Sequence, residues 1–106
     1  MGGFLAAEIK HAGYDTIIIS GKSPTPVYLW INNDQVELRD ARHLWGKGVF
    51  DTIRTLKKEL DEDIYVAAIG PAAENGVLFG SIIFDYWDAC GRTGMGTVMA
   101  SKGLKA

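Results

Sequence analysis

Cysteine is almost missing from this chain: Cys90 stands alone among 106 residues. A single thiol excludes an internal disulfide and a metal site built from cysteines of these residues. Its neighbours Ala89 and Gly91 are small, the setting of a packing thiol. A catalytic thiolate needs a cationic partner, and Arg92 is the sequence-local candidate. Excess positive charge is missing too. The net charge is −2, so no basic field draws the chain to nucleic acid. The short clusters Lys57-Lys58 and Lys102/Lys105 are offset by Glu59 and Asp61 and read as solvated helix ends.

No apolar run approaches the ~20 residues that cross a bilayer, so no membrane partner is expected. The start, Met1-Gly-Gly-Phe-Leu-Ala-Ala-Glu8, has no basic stretch and meets an acid early. It predicts no signal peptide and a cytoplasmic chain. A P-loop Gly-Lys-Ser/Thr is missing, and Gly94-Met95-Gly96 lacks the third glycine of a dinucleotide fingerprint. Ser20, Ser23, Ser81 and Ser101 sit in no Gly-x-Ser-x-Gly elbow, so a serine hydrolase has no support. Neither an internal repeat nor a low-complexity segment occurs.

What is there is a globular composition, 47% apolar, at a length that builds one modest core. Apolar spacing predicts a helix from Phe4 to Ala12, stopped by Gly13. Thr16 to Ser20 is a β-branched run, apolar on both faces, and predicts a strand covered on both sides. Gly21 to Pro26 is a loop, because its two prolines cannot join a ladder. Val27–Ile31 and Gln35–Arg39 predict a hairpin across the turn residues Asn32-Asn33-Asp34. Asp40 to Gly48 is a connector.

Val49 to Leu60 has the clearest helical pattern. Val49, Phe50, Ile53, Leu56 and Leu60 form its stripe, with Asp51 early and Lys57 and Lys58 late. Ile64–Ile69 and Val77–Phe84 predict two further strands around a loop at 71–76. Thr97 to Lys102 predicts a short helix closed by Gly103. Helices interleaved with a hairpin indicate an α+β, mixed α/β fold in which a β-sheet base carries flanking helices.

The glycine-rich end, Gly91-Arg-Thr-Gly-Met-Gly96, bears most on function. Three glycines fall within six residues, with an arginine among them. Such a turn brings backbone N–H groups close to an anion, so a phosphate-bearing cofactor is one reading. A plain turn before a surface helix is the other. Glu8 and His11 stand three apart, like half of a di-iron site, but only Asp40/His43 repeats the spacing, and a surface pair is the better reading. Glu74-Asn75 occupies a Gly/Pro-bounded loop where α/β proteins place ligand contacts; side chains serving their own backbone explain it as well. Trp30, Trp45 and Trp87 lack interleaved basic residues and read as packing. Phe84-Asp-Tyr-Trp-Asp88 lines a pocket mouth or a partner surface.

Taken together, several segments carry a resemblance. These are Gly2 to Asp15, Gly21-Lys22 with Pro26 to Ile31, Val36 to Ala41 with His43 to Lys47, Ile69 to Asn75, and the glycine-rich end. They resemble the amino-terminal domain of the aldehyde ferredoxin oxidoreductase family, tungsten enzymes with two pterins per metal. Ile31-Asn-Asn-Asp34 and Gly46-Lys-Gly48 are similar to the branch that includes the tungsten subunit of benzoyl-coenzyme A reductases.

The resemblance implies a single partial domain over residues 1–106, a β-rich base on which the pterins lie. It places pterin contacts at Gly2, Gly3, Gly91, Arg92, Gly94 and Gly96. It places the backbone carbonyl of Ala89 on a magnesium ion between the pterin phosphates. It also implies low-potential oxidation of aldehydes to acids in the complete enzyme, with ferredoxin as electron partner. The iron–sulfur cluster would be held by cysteines outside this chain.

Three departures count against cofactor binding. Asp88 stands where the family resembles an arginine, Thr93 replaces a usual glycine, and Ala73 replaces another. They keep open a non-catalytic remnant that serves as a structural or interaction module. The resemblance starts inside the family's first domain and stops where its pattern runs on. Both ends are therefore expected to be cut, and the piece to join a larger assembly or self-associate.

Overall fold

The computed structural model describes residues 5–85 and 88–106. Helix α1 spans Leu5–His11 and buries none of its residues. Gly13 ends it at φ +102. Its N–H donates to the Lys10 carbonyl at 3.0 Å and that of Tyr14 to Ile9 at 3.2 Å, the paired bonds of a glycine-closed helix end. The predicted start at Phe4 lies outside the described residues.

The strand expected at 16–20 does not form. Ile18 is 88% exposed, and Ile17 and Ile19 are partly exposed. A β-branched run gains from packing on a neighbouring strand, and among the described residues no strand pairs with it.

Strands β1 (Val27–Asn32) and β2 (Gln35–Asp40) form the predicted hairpin. Asn33 turns it in the left-handed region at φ +51, which asparagine tolerates better than most residues. One face pairs Tyr28 with Arg39 and Trp30 with Glu37. There the Arg39 guanidinium lies 4.0 Å from the Trp30 ring centre and donates to Glu37 at 2.8 Å, while Tyr28 is buried in the core. The other face pairs Leu29 with Leu38 and Ile31 with Val36. It points outward, with Leu38 68% exposed.

Helix α2 (Val49–Glu59) buries Thr52, Ile53 and Leu56. Phe50, counted in the apolar stripe, instead sits on the open side. Strand β3 is short, Ala67–Ile69. The expected loop at 71–76 begins as a helical turn, α3 (Pro71–Glu74), with Pro71 in the first turn, where its missing N–H is not needed. Strands β4 (Ile82–Phe84) and β5 (Asp88–Cys90) complete a three-stranded antiparallel sheet ordered β3-β4-β5.

The long strand expected over 77–84 therefore shrinks to its last residues. Its first half is taken up by helix α4 (Met95–Ser101). The Gly96 N–H donates to the Gly80 carbonyl at 3.0 Å, and the Thr97 hydroxyl accepts from Gly80 N–H and donates to Val77 C=O. Main-chain groups engaged this way cannot join a ladder.

The last residues knit the two sheets. Val27 N–H donates to Gly103 C=O at 2.9 Å and Lys105 N–H to Val27 C=O at 2.8 Å, so the segment runs parallel to β1. On its other side Ile69 N–H donates to Lys105 C=O at 3.1 Å. The segment 103–106 thus lies between β1 and β3, and hairpin and sheet become one β base with helices against it. Tyr28, Ala41, Leu44, Ile53, Leu56, Val66 and Ala68 form the core beneath α2. This is the α+β architecture that the pattern indicated.

Candidate functional site

Between the start of α2 and the sheet lies a cleft of about 480 Å³. Gly48, Val49, Phe50, Asp51 and Arg54 form one wall, and Ile83, Asp88 and Ala89 the other. The first wall exists because α2 begins here, on Gly48, with no side chain capping its first turn. The second exists because the β4–β5 hairpin carries Ala89 opposite Ile83 on the outer strand of the sheet. Ala89 is exposed and Asp88 half-buried. Arg54 donates to Asp51 at 3.1 Å in an exposed pair. The cleft therefore has an apolar lining of Val49, Ile83 and Ala89 beneath two acids and one cation.

Of the residues singled out in the sequence, the cleft gathers Ala89 and Asp88. Gly91, Arg92, Gly94 and Gly96 are not part of its lining. Arg92 is exposed in a 3-10 turn, Arg92–Gly94, that leads from β5 into α4. Gly94 and Gly96 are buried. A Cβ on Gly94 would stand 2.0 Å from the Leu78 carbonyl oxygen, and one on Gly96 2.5 Å from that of Ser81. Both glycines therefore let α4 approach the chain's own backbone, and the Gly96 N–H is already bonded to Gly80. Thr93 adopts φ +69, a left-handed conformation that costs a β-branched residue about 1–2 kcal/mol. Gly2 and Gly3, and Tyr86 and Trp87 of the aromatic–acidic run, lie outside the described residues.

For a phosphate-bearing group held through a bridging cation, the residues of the cleft fit. Exposed outer-strand main chain at Ala89 and the carboxylates of Asp51 and Asp88 are the hard oxygen donors that magnesium prefers. Arg54, paired with Asp51, is the one cation of the lining that can oppose phosphate charge. Within the glycine turn, Gly94 N–H donates to Gly91 C=O and Gly96 N–H to Gly80 C=O.

A second polar cluster had no sequence signal beyond the loop position of Glu74. Lys105, read as part of a solvated cluster, has a side chain with 0% exposure. It donates to Glu74, itself 4% exposed, and to the Lys47 carbonyl at 2.8 Å. Glu74 also accepts the Gly46 N–H at 2.9 Å. So Glu74 serves a distant loop rather than its own backbone. Desolvation holds the Lys105 ammonium below the ordinary lysine range, against the opposing pull of Glu74.

The remaining candidates are ordinary. His11 and Glu8 form an exposed pair at 3.9 Å. No group of three metal-ligating side chains occurs among the described residues. Arg42 donates to Asp40 and holds its carboxyl below the usual range, on the open surface. His43 pairs with Glu59 at 3.1 Å, half-exposed. Cys90 is a free, half-buried thiol. Among the described residues, no helix is long and apolar enough to cross a membrane.

Known proteins with this pattern fall into one group. Residues 1–106 match the family described as aldehyde ferredoxin oxidoreductase, N-terminal domain. A tungsten-containing aldehyde ferredoxin oxidoreductase of Pyrococcus furiosus is 50% identical over 99% of this chain and 18% of its own length. That of Thermococcus kodakarensis is 51% identical over the same shares. The WOR-like subunit of an aliphatic sulfonate oxidoreductase of Pyrococcus furiosus is 44% identical over 96% of this chain. A chain of the active-site complex BamBC of benzoyl coenzyme A reductase, solved with 1,5-dienoyl-CoA, superposes with a TM-score of 0.93. It is 56% identical over 98% of this chain and 16% of its own length. The chain thus spans under a fifth of the length of these relatives. Its full-length match, its identity to them and its shared fold place the chain in the aldehyde ferredoxin oxidoreductase family, as the amino-terminal domain.

Proposed function

We propose that the chain forms part of the seat of a tungsten bis-pterin cofactor in a low-potential oxidoreductase. The observation that carries this reading is the cleft at Ala89, the position to which the family resemblance assigns a magnesium-binding carbonyl. Identity of about half to relatives described as tungsten-containing supports it. When bound, the cofactor supplies the two-electron redox chemistry.

The chain's own part is positioning and electrostatics. The Ala89 carbonyl would be a ligand for magnesium, and that cation would offset the charge of Asp88 against phosphate. Gly91, Gly94 and Gly96 shape the turn that carries Arg92, which would meet a phosphate oxygen, and the family resemblance assigns pterin contacts to Gly2 and Gly3. In the complete enzyme we assign oxidation of an aldehyde to its acid, with ferredoxin taking the electrons in the cytoplasm. The iron–sulfur cluster belongs to the polypeptide beyond this part.

A second reading has its own observation. Asp88 and Thr93 depart from the family pattern at the cofactor turn, and Gly96 has its N–H engaged internally. On that reading the chain is a structural or interaction module that has lost the cofactor. Purification from a tungstate-supplied host without oxygen separates the two. Tungsten measured by mass spectrometry, with pterin fluorescence after oxidation, is expected in stoichiometric amounts. A folded chain with neither is a scaffold piece that holds the cofactor only when completed by the rest of the enzyme, or one that has lost it; absence from the complete protein as well overturns the first reading.

A further inference from the structure

Helix α2 starts without a capping side chain, so the loop before it must be held in place from elsewhere. It is held by two buried charges. Glu74, at the end of α3, accepts the Gly46 N–H at 2.9 Å. Lys105, in the segment between β1 and β3, donates to Glu74 and to the Lys47 carbonyl. Gly46 and Lys47 are themselves exposed. Two consecutive main-chain groups of an exposed loop are thus tied to an ion pair from which water is excluded. The next two residues, Gly48 and Val49, are a wall of the cleft that faces Ala89.

Stability does not account for the pair. Taking two ions out of water largely cancels their attraction, and apolar replacements of similar volume are often neutral or stabilising. Apolar side chains cannot grip a main-chain N–H and a carbonyl at defined positions. Water satisfies the Gly46 and Lys47 groups if the pair is lost, because both residues are exposed; the loop then loses its register without the fold losing its core.

We propose that Glu74 and Lys105 are positioning residues of the cleft: they fix the 46–48 loop, and through it the start of α2, at the separation from β5 that the bound cofactor needs. The proposal rests on the reading of the cleft as a cofactor seat. It also makes the C-terminal segment part of the site without any contact to the ligand.

The test uses two double variants, which avoid leaving a single buried charge. In E74L/K105M both side-chain bonds to the loop are gone, and the Lys47 N–H to Leu44 C=O and Thr52 to Gly48 C=O bonds remain. In E74Q/K105M the glutamine amide oxygen still accepts the Gly46 N–H, which makes this the conservative rescue. Amide hydrogen exchange is read at Gly46 and at the first residues of α2, with β1 and β3 as internal standards. Tungsten and pterin content are read on the same samples.

Losing a hydrogen bond to a charged acceptor opens a local segment about tenfold more often. Exchange at Gly46 in E74L/K105M is therefore expected to rise by about that factor with the standards unchanged. Cofactor content is expected to fall in that variant and recover in E74Q/K105M. Wild-type exchange at Gly46 in E74L/K105M overturns the proposal. So does cofactor present in the wild type and equal in all three proteins. Complete wild-type protein without tungsten or pterin, but with the exchange contrast intact, overturns the cofactor reading alone and upholds the loop-positioning role.

Discussion

Two regions of this molecule use residue types against their usual settings. Around Thr16 to Ser20, three isoleucines with strong strand preference lie in irregular, exposed chain. Around Gly94 to Lys105, a stretch rich in glycine and lysine is among the most closely packed parts of the molecule. Apolar content therefore does not decide where the chain is ordered. Partners do: residues 16–20 have no strand beside them, whereas 103–106 are flanked by β1 and β3. The cleft lies outside both regions, between the start of α2 and the β4–β5 hairpin.

Substitutions break or sharpen this contrast. The largest effect is expected from Lys105→Met alone. It strands the Glu74 carboxylate in a buried site, and breaking such a pair costs about 3–5 kcal/mol. Chemical denaturation measures it; a loss under 1 kcal/mol would mean that water reaches Glu74. Gly96→Ala comes next. Its Cβ would lie 2.5 Å from the Ser81 carbonyl, so α4 must move away from the 78–81 backbone, at about 2–3 kcal/mol. A wild-type midpoint would show that α4 sits less tightly than the contact implies.

Thr93→Gly changes stability in the other direction. Relief of the left-handed strain at φ +69 is expected to add about 1 kcal/mol, or roughly 4–8 °C in the midpoint of a domain this size. An unchanged midpoint would mean that the threonine's other contacts compensate. The smallest effect is expected at the loose end: Ile18→Thr, at a side chain 88% exposed, is expected to stay within about 0.5 kcal/mol of wild type. A loss of several times that size, dependent on protein concentration, would reveal a partner covering the run.

Much of the architecture was legible from local chemistry. The hairpin follows from alternating strands around Asn33-Asp34, and α2 from its apolar spacing and charged ends, because both signals act between residues close in sequence. The helix end at Gly13 is of the same kind. Ala89 entered the candidate site through resemblance, and it is one of the residues that line the cleft. The failures are long-range. The β-branched run at 16–20 gave no warning that it lacks a neighbour. The strand read over 77–84 was cut short by Thr97 and Gly96, some twenty residues away. Glu74 looked like a loop acid serving its own turn, and Lys105 like a solvated helix-end charge.

Resemblance over several segments supplied the family, and periodicity and turn residues by themselves determined the fold class, the hairpin and the main helix. These are properties of residues within a turn or a strand of one another, and sequence spacing encodes them directly. Only the tertiary structure decided which glycines face backbone rather than open space, which wall stands opposite Ala89, and that Glu74 meets Lys105. Those outcomes depend on which distant segment becomes the neighbour, and a segment's neighbour is set by the collective packing of the chain.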